Sequence, residues 1–374
     1  MEIRAAVLRN RTATRPFADS RPLTIETLTL DAPGRDEVLV RIAAAGLCHS
    51  DLSVIDGARP RPLPMALGHE AAGTVVAVGP GVDDLEPGDP VVLVFMPSCG
   101  HCVPCAEGRP ALCEPGARAN GDGTLLSGAI RLQDAAGEVH HHLGCSAFAD
   151  HAIVSRRSLV KIDADLPLDI AALFGCAVLT GVGAVVNTAG LRAGQTAAVI
   201  GLGGVGLAAL LGTLAAGAAQ AIAVDLSPEK LAVARDLGAT ATIDARDSDA
   251  VAQVRALTGG GVDVALEMAG SAAALTSAWG MTRRGGTTVT AGLPPAGTAL
   301  PIDIVGLVAE ERTLKGSYIG TCVPARDIPR YIALYRAGRL PVDRLRSHTV
   351  PLDRINEAFD RLADGHAIRQ IIRF

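Results

Sequence analysis

Apolar and polar positions follow two different rhythms along this chain. In the N-terminal part, short runs alternate with a period of two and are broken by Gly and Pro. EVLVRIAA (37–44), GTVVAVG (73–79) and DPVVLVF (89–95) are the clearest. That pattern predicts strands with one buried face, gathered in a compact β-rich domain. Farther on the rhythm changes. Residues 194–224 carry no charge and are long enough to span a bilayer. Glycines interrupt the run, however, and its two ends read as strands. TAAVIGLGGVGLAALLGTLAAGAAQAIAVD (196–225) therefore predicts strand, glycine turn, helix, strand, all buried in a soluble fold. Apolar segments recur at 241–243, 262–267 (VDVALE), 286–291 (GTTVTA) and 313–319, with helical patterns between them. Six strands of this kind make a full doubly wound parallel sheet. SPEKLAVARDLGA (227–239) has helix grammar: Ser227 as N-cap, Pro228 in the first turn, and an end near Gly238. After about residue 320 short helical patterns lead to a last strand, IRQIIRF (368–374).

Composition refines this picture. At 374 residues the chain exceeds one ordinary core, so two domains are expected. A hydrophobic content of 49% suits an α/β protein with strands buried on both faces. Net charge is −5 and the arginines are scattered, which points away from nucleic acid and from anionic membranes. The opening MEIRAAVLRN has no apolar stretch of the signal-peptide kind, so a cytoplasmic protein is expected. In a reducing compartment clustered cysteines point to metal before disulfides.

Such a cluster exists. CGHCVPCAEGRPALC (99–113) holds Cys99, Cys102, Cys105 and Cys113 in fifteen residues, with the spacing C-x2-C-x2-C-x7-C. Two-residue gaps let neighbouring thiolates converge on one ion, and the longer arm closes a tetrahedron. Four protein ligands leave no position for substrate, so a zinc ion here would be structural and would stiffen a loop rich in Gly and Pro. Unrelated thiols or disulfides, and an iron–sulfur cluster, use the same residues and stay open at this point.

Cys48, Cys145, Cys176 and Cys322 lie elsewhere. Cys48 sits in AAAGLCHSDLSV, His69 and Glu70 in LGHEAAGTVVAVGPGV, and Cys176 in ALFGCAVLTGVGA. Two Cys and one His with an open fourth position form a known catalytic zinc set, but spacing alone does not join ligands so far apart. Together with GHE at Gly68–Glu70, Gly73, Gly79 and Val82, the four-cysteine lobe and the glycine turn, these segments resemble the zinc-dependent medium-chain alcohol dehydrogenases nearly end to end. The likeness is to the two-zinc, animal-like and formaldehyde dehydrogenase-like branches.

The glycine turn has its own logic. Gly201, Gly203 and Gly206 fit G-x-G-x-x-G after a strand and before a helix. The first two let the backbone turn tightly and approach a pyrophosphate, and the third lets helix and strand pack closely. Asp225 ends the next strand, 19 residues past Gly206. A carboxylate there accepts ribose hydroxyls and repels a 2′-phosphate, which favours NAD.

The resemblance implies more. It implies an α/β fold with a GroES-like β-rich catalytic domain, 1–178 and 320–374, and a doubly wound Rossmann domain, 179–319, whose interface holds nicotinamide against zinc. It implies two zinc ions per chain, the catalytic one on Cys48, His69 and Cys176. Glu70 would approach that metal, and Asp51 would accept the other ring N–H of His69; on residue type alone, Asp51 is equally a helix cap. Ser50 would relay the alcohol proton. His49, Thr180, Gly204, Val205, Lys230 and Arg369 would join Gly201, Gly203, Gly206 and Asp225 at the coenzyme, with His49 and Arg369 on its phosphates. Phe95, His142, Leu293 and Tyr318 would line the substrate pocket, mostly apolar and suited to hydrophobic primary alcohols. The long segment Asn120–Ala147 matches branches that are usually homodimers. A thiol-adduct formaldehyde dehydrogenase is the second enzyme reading, opposed by Ala58 and Arg59 where that branch carries an acid. A non-catalytic, crystallin-like zinc and NADH binder is the reading from another class. One departure stands out: Ser53 occupies a position where many members carry a histidine that ends the proton relay. Cys145 and Cys322 receive no role.

Overall fold

The computed structural model describes residues 1–11 and 14–374. The chain divides into two compact units. The first is Met1–Cys176 with Val323–Pro329 and Arg346–Phe374; the second is Ala177–Cys322 with Arg330–Leu345. The expected division differs at its seams, and above all in residues 330–345, which pack with the second unit. Leu340, Val342 and Leu345 are wholly buried there. The Arg339 guanidinium donates to Ala215 O at 2.9 Å and that of Arg344 to Asp236 O at 3.1 Å. Both carbonyls end helices, where unpaired C=O groups and the helix dipole favour a cation.

In the first unit five strands close a small barrel: Glu2–Leu8, Leu23–Leu30, Leu132–Asp134, Gly137–His141 and Met65–Ala66. Ile3, Val7, Leu28, Leu30, Leu132 and Val139 fill it. A seven-stranded sheet runs in the order Leu159–Lys161, Pro90–Leu93, Glu70–Val78, Glu37–Gly46, Arg369–Arg373, Arg346–Val350. His151–Ser155 pairs with the start of Glu37–Gly46, and Ile371 and Ile372 pair with its end, opposite Gly46 and Ala45. Gly46 also faces Glu70 across the ladder. This pairing brings Cys48, just beyond one strand, to His69, just before the other. A short helix α1 (His49–Ile55) follows Cys48.

The second unit is a six-stranded parallel sheet: β1 (Thr196–Ile200), β2 (Gln220–Asp225), β3 (Ala241–Asp244), β4 (Val262–Glu267), β5 (Thr282–Thr290) and β6 (Thr313–Gly316). Their order is β3-β2-β1-β4-β5-β6, the doubly wound order. Helix α2 (Gly204–Ala215) follows β1. Helix α3 (Pro228–Asp236) follows β2 and has the expected cap, with Ser227 Oγ accepting from Lys230 N at 3.3 Å. The apolar run is thus strand, helix, strand, as its glycines require. No single helix among the described residues is long and apolar enough to cross a membrane. Strand β5 starts four residues before the expected 286, through a register shift opposite Val262–Val264. Strand β6 stops at Gly316, short of the expected 319, because the chain then turns left-handed. Ile319, Gly320 and Thr321 have φ of 49°, 63° and 53°. Thr188 Oγ1 holds that turn, 2.8 Å from both Ser317 Oγ and Thr321 Oγ1.

Candidate active site and nucleotide turn

In the first unit the fold gathers Cys48, His69 and Cys176, whose ligand atoms lie within 4.8 Å of one another. All three residues are buried, and Cys176 Sγ is 3.5 Å from His69 Nε2. Sulfur and nitrogen bound at 2.3 and 2.0–2.1 Å to one tetrahedral zinc stand about 3.6 Å apart, so the donor set fits that ion. The Cys48 thiol is drawn well below its ordinary value by the hydrogen bond from Cys176; burial opposes this and the Arg369 charge assists it. A thiolate is the form a metal binds.

Behind the ligands stands an acid–imidazole arrangement. His69 Nδ1 is 3.0 Å from Asp51 Oδ1, leaving Nε2 to face the thiols. Asp51 sits in the first turn of α1 and also caps it, its Oδ2 accepting from Cys48 N at 3.2 Å; Gly68 N donates to Oδ1 at 3.3 Å. The two roles weighed for Asp51 are therefore filled at once. Burial raises its carboxyl, but His69 and His142 outweigh burial and hold it below the usual range.

His142, expected to line the substrate pocket, is buried and turned to this acid, with Nδ1 3.2 Å from Asp51 Oδ1. Its ring meets that of His69 edge to face at 5.6 Å, and Phe95 does the same at 5.2 Å. Nothing in the spacing of the two histidines signals this convergence. The run HHH at 140–142 was the only visible hint.

Glu70 is buried, and desolvation pushes its carboxyl up to about 7 against the opposing Arg369 charge. Arg369 was expected on a coenzyme phosphate. Here it is 3% exposed, with Nη2 3.3 Å from Glu70 Oε2 and Nη1 donating to Leu47 O at 2.8 Å. Its place answers a buried acid beside the thiols, which would otherwise stand uncompensated. Ser50 is half-buried and His49 exposed in the first turn of α1. Ser53 Oγ donates to His49 O at 2.9 Å, a bond internal to the helix.

The four-cysteine lobe closes as its spacing predicts. The Sγ atoms of Cys99, Cys102, Cys105 and Cys113 lie within 4.8 Å of one another. Backbone amides point at the sulfurs: Cys102 N reaches Cys99 Sγ at 3.3 Å, and Cys99 N reaches Cys113 Sγ at 3.1 Å. Burial works against the Cys99 thiolate, but the amides of His101 and Cys102, both directed at its sulfur, bring its value down to about 6. Four convergent sulfurs fit one zinc.

In the second unit the glycine turn joins β1 to α2. Gly201 has φ +91°, and a Cβ there would stand 2.7 Å from Ala269 N; a Cβ on Gly206 would lie 1.7 Å from Gly201 O. A Cβ on Gly203 would meet nothing within 4 Å. Open space over the amino end of a 12-residue helix, with Gly204 and Val205 in its first turn, fits a pyrophosphate. Asp225 ends β2 as expected, and its oxygens already accept from Leu202 N at 2.5 Å and Ser227 N at 2.9 Å. Lys230 lies half-buried in the first turn of α3, and Thr180 is buried in the helix Ala177–Gly183. Leu293 and Tyr318 belong to this unit too and are exposed.

Comparison with known proteins agrees with this reading. The profile "Alcohol dehydrogenase GroES-like domain" matches residues 34–164, and "Zinc-binding dehydrogenase" matches 204–337. The geraniol dehydrogenase of Castellaniella defragrans is 40% identical over 356 residues, 94% of this chain and 95% of that protein. The alcohol dehydrogenase class-3 of Drosophila melanogaster is 37% identical over 360 residues, 95% of each. The crystal structure of benzyl alcohol dehydrogenase from Acinetobacter calcoaceticus superposes with a TM-score of 0.93 at 34% identity, covering 100% of this chain and 99% of that one. With a GroES-like unit, a Rossmann-type unit and both cysteine sets in place, the chain belongs to the zinc-dependent medium-chain alcohol dehydrogenases and is an oxidoreductase.

Proposed function

We propose that this enzyme interconverts hydrophobic primary alcohols and their aldehydes, with NAD as coenzyme and two zinc ions per chain. The observation that carries the reading is the meeting of Cys48, His69 and Cys176 in front of the buried Asp51. Zinc, when bound, polarises the alcohol or carbonyl oxygen, and the nicotinamide takes or returns the hydride. The chain's own part is to aim and balance. Asp51 fixes the His69 ring so that Nε2 faces the ligand cluster. Arg369 offsets the charge of Glu70 and the thiolates. Ser50 Oγ accepts the hydroxyl proton of the alcohol as it passes its own proton on to water, and Gly201–Gly206 with Asp225 hold the dinucleotide.

Phe95, edge-on to His69, supports an apolar surrounding for the substrate. So do the names of two relatives, a geraniol and a benzyl alcohol dehydrogenase, since both alcohols are primary and hydrophobic. Asp225 supports NAD over NADP. The free thiols support a reducing, cytoplasmic setting. Exposed Ile304, Val305 and Val308, together with the outer edge of β6, support a homodimer. The class-3 relative keeps formaldehyde with a thiol carrier as the second reading.

The test is a panel of geraniol, benzyl alcohol, hexanol, and formaldehyde with glutathione, each with NAD and NADP, on protein whose zinc has been counted. Highest kcat/KM on the apolar alcohols with NAD is expected. Turnover only with the formaldehyde–thiol mixture, or full turnover after chelation of all metal, would remove the proposal.

A further inference from the structure

Strand β4 ends on an acid that the chemistry above does not use. Glu267 closes the run VDVALE and is 1% exposed. Its register partner is Ile200, the last residue of β1. It therefore stands where the strand order reverses, the point outside the carboxyl ends at which such sheets bind ligands.

No ion pair holds this carboxylate among the described residues. It is satisfied by two short hydrogen bonds, one from the loop after β4 and one from the end of β5. Oε1 accepts from Gly270 N at 2.6 Å, and Oε2 accepts from Thr290 Oγ1 at 2.7 Å. Its backbone O accepts from Ala291 N at 3.0 Å. The loop after β4 lies against the glycine turn. Met268 N donates to Ile200 O at 2.8 Å, and Ala269 is the residue that a Cβ on Gly201 would strike. The loop after β5 is drawn onto the first, since a Cβ on Gly292 would lie 2.2 Å from Gly270 N. One side chain thus ties the loop that lies against the glycine turn to the end of β5. An apolar residue would end the strand without the desolvation cost of a buried acid. What it could not supply is two directed acceptors that set the loop geometry.

We propose that Glu267 is a positioning residue for the dinucleotide: by fixing 268–270 against Gly201–Gly206 it sets coenzyme affinity. This rests on the reading of that turn as a nicotinamide dinucleotide site. The two directed hydrogen bonds, and not the charge, carry the role. In Glu267→Gln the amide oxygen can accept from Gly270 N while the amide NH2 donates to the Thr290 hydroxyl, which also accepts.

The test uses the zinc-loaded full chain, with Kd for NADH from fluorescence titration, hydrogen exchange at 268–270, and Tm. Glu267→Ala is expected to weaken NADH by about tenfold or more and to speed exchange at 268–270, with a smaller change in kcat at saturating coenzyme. Glu267→Gln is expected within about threefold of wild type. If Glu267→Ala does not fold, Thr290→Val replaces it, because it keeps the Gly270 bond and removes the other. Its expected loss is intermediate, and an unchanged Kd counts against the proposal. A lowered Tm with unchanged NADH affinity, or Glu267→Gln as weak as the alanine variant, overturns the inference while leaving the enzyme reading intact. Wild-type protein that binds neither NADH nor NADPH overturns both.

Discussion

Asp51 Oδ1 stands 3.0 Å from His69 Nδ1, and both side chains are wholly buried. The pair fixes which ring nitrogen of His69 faces the thiols, because an ionised carboxylate requires the N–H on Nδ1.

Asp51→Asn keeps the shape and removes that requirement. The amide can present its NH2 to Nδ1 and turn the tautomer over. Zinc affinity at the Cys48–His69–Cys176 site is expected to fall by about 10–100-fold, with the four-cysteine site unchanged. Chelator competition with zinc counting measures it. Unaltered metal release would show that Asp51 acts only as a cap.

Cys113→Ser tests the lobe. Cys113 Sγ accepts from Gly116 N at 3.4 Å and caps the helix Glu114–Asp122, and a serine hydroxyl can still cap there, so the variant removes the metal ligand alone. Zinc is expected to fall from about two ions per chain to about one, with a lower Tm and the catalytic ion retained. Loss of both ions would mean that the two sites are not independent.

Asp225→Ser should relax the choice of coenzyme. Serine can still accept from Ser227 N but no longer repels a 2′-phosphate. The ratio of kcat/KM with NADP to that with NAD is expected to rise by about tenfold, or about 1.4 kcal/mol. A ratio that does not move would place coenzyme choice elsewhere.

Asp263 ties the starts of β1 and β4. It accepts from Thr196 N at 2.7 Å and Thr196 Oγ1 at 2.8 Å, and pairs with Arg283 at 2.7 Å. Burial raises its carboxyl, but the Thr196 amide and Arg283 outweigh burial and hold it below the ordinary value. A depressed folded value means that this stability is present above the unfolded pKa of about 3.9 and is lost as pH falls through the folded one. Asp263→Asn is expected to cost about 1–3 kcal/mol at neutral pH and to flatten the acid limb of the stability curve. Urea midpoints between neutral and acid pH check both.

Ser53→His addresses the shortened relay. Ser53 now spends its hydroxyl on the His49 carbonyl. An imidazole there gives the alcohol proton a further acceptor, so oxidation is expected to depend less steeply on pH, with a higher rate on the acid side. A pH–rate profile identical to wild type would exclude the introduced imidazole from proton transfer.

Local features were legible in the sequence and distant ones were not. The lobe Cys99–Cys113 and the turn Gly201–Gly206 are written in contiguous residues, so spacing and flanking pattern suffice. Cys48 and His69 meet because Gly46 and Glu70 share a ladder rung, Cys176 joins them from a segment about a hundred residues on, and family likeness stood in for that knowledge. Other partners are hidden in the same way. His142 turns to Asp51 and Arg369 to Glu70 through contacts between segments far apart in the chain. Residues 330–345 were assigned to the wrong unit because helical periodicity shows that a face is buried, but not against what. For Glu267 a signal did exist, an acid ending the apolar run Val264–Leu266, but a strand end is also where a solvated charge belongs.

The strand Arg369–Arg373 lies inside a sheet whose other members, save Arg346–Val350, are made early in the chain. During synthesis the end of Glu37–Gly46, already paired with Glu70–Val78, must wait for its second neighbour until residues 369–373 have been translated. The second unit needs nothing past Leu345. The half that is begun first on the ribosome is therefore completed after the other, and a chain cut before Arg369 would carry a finished nucleotide fold attached to an unfinished partner.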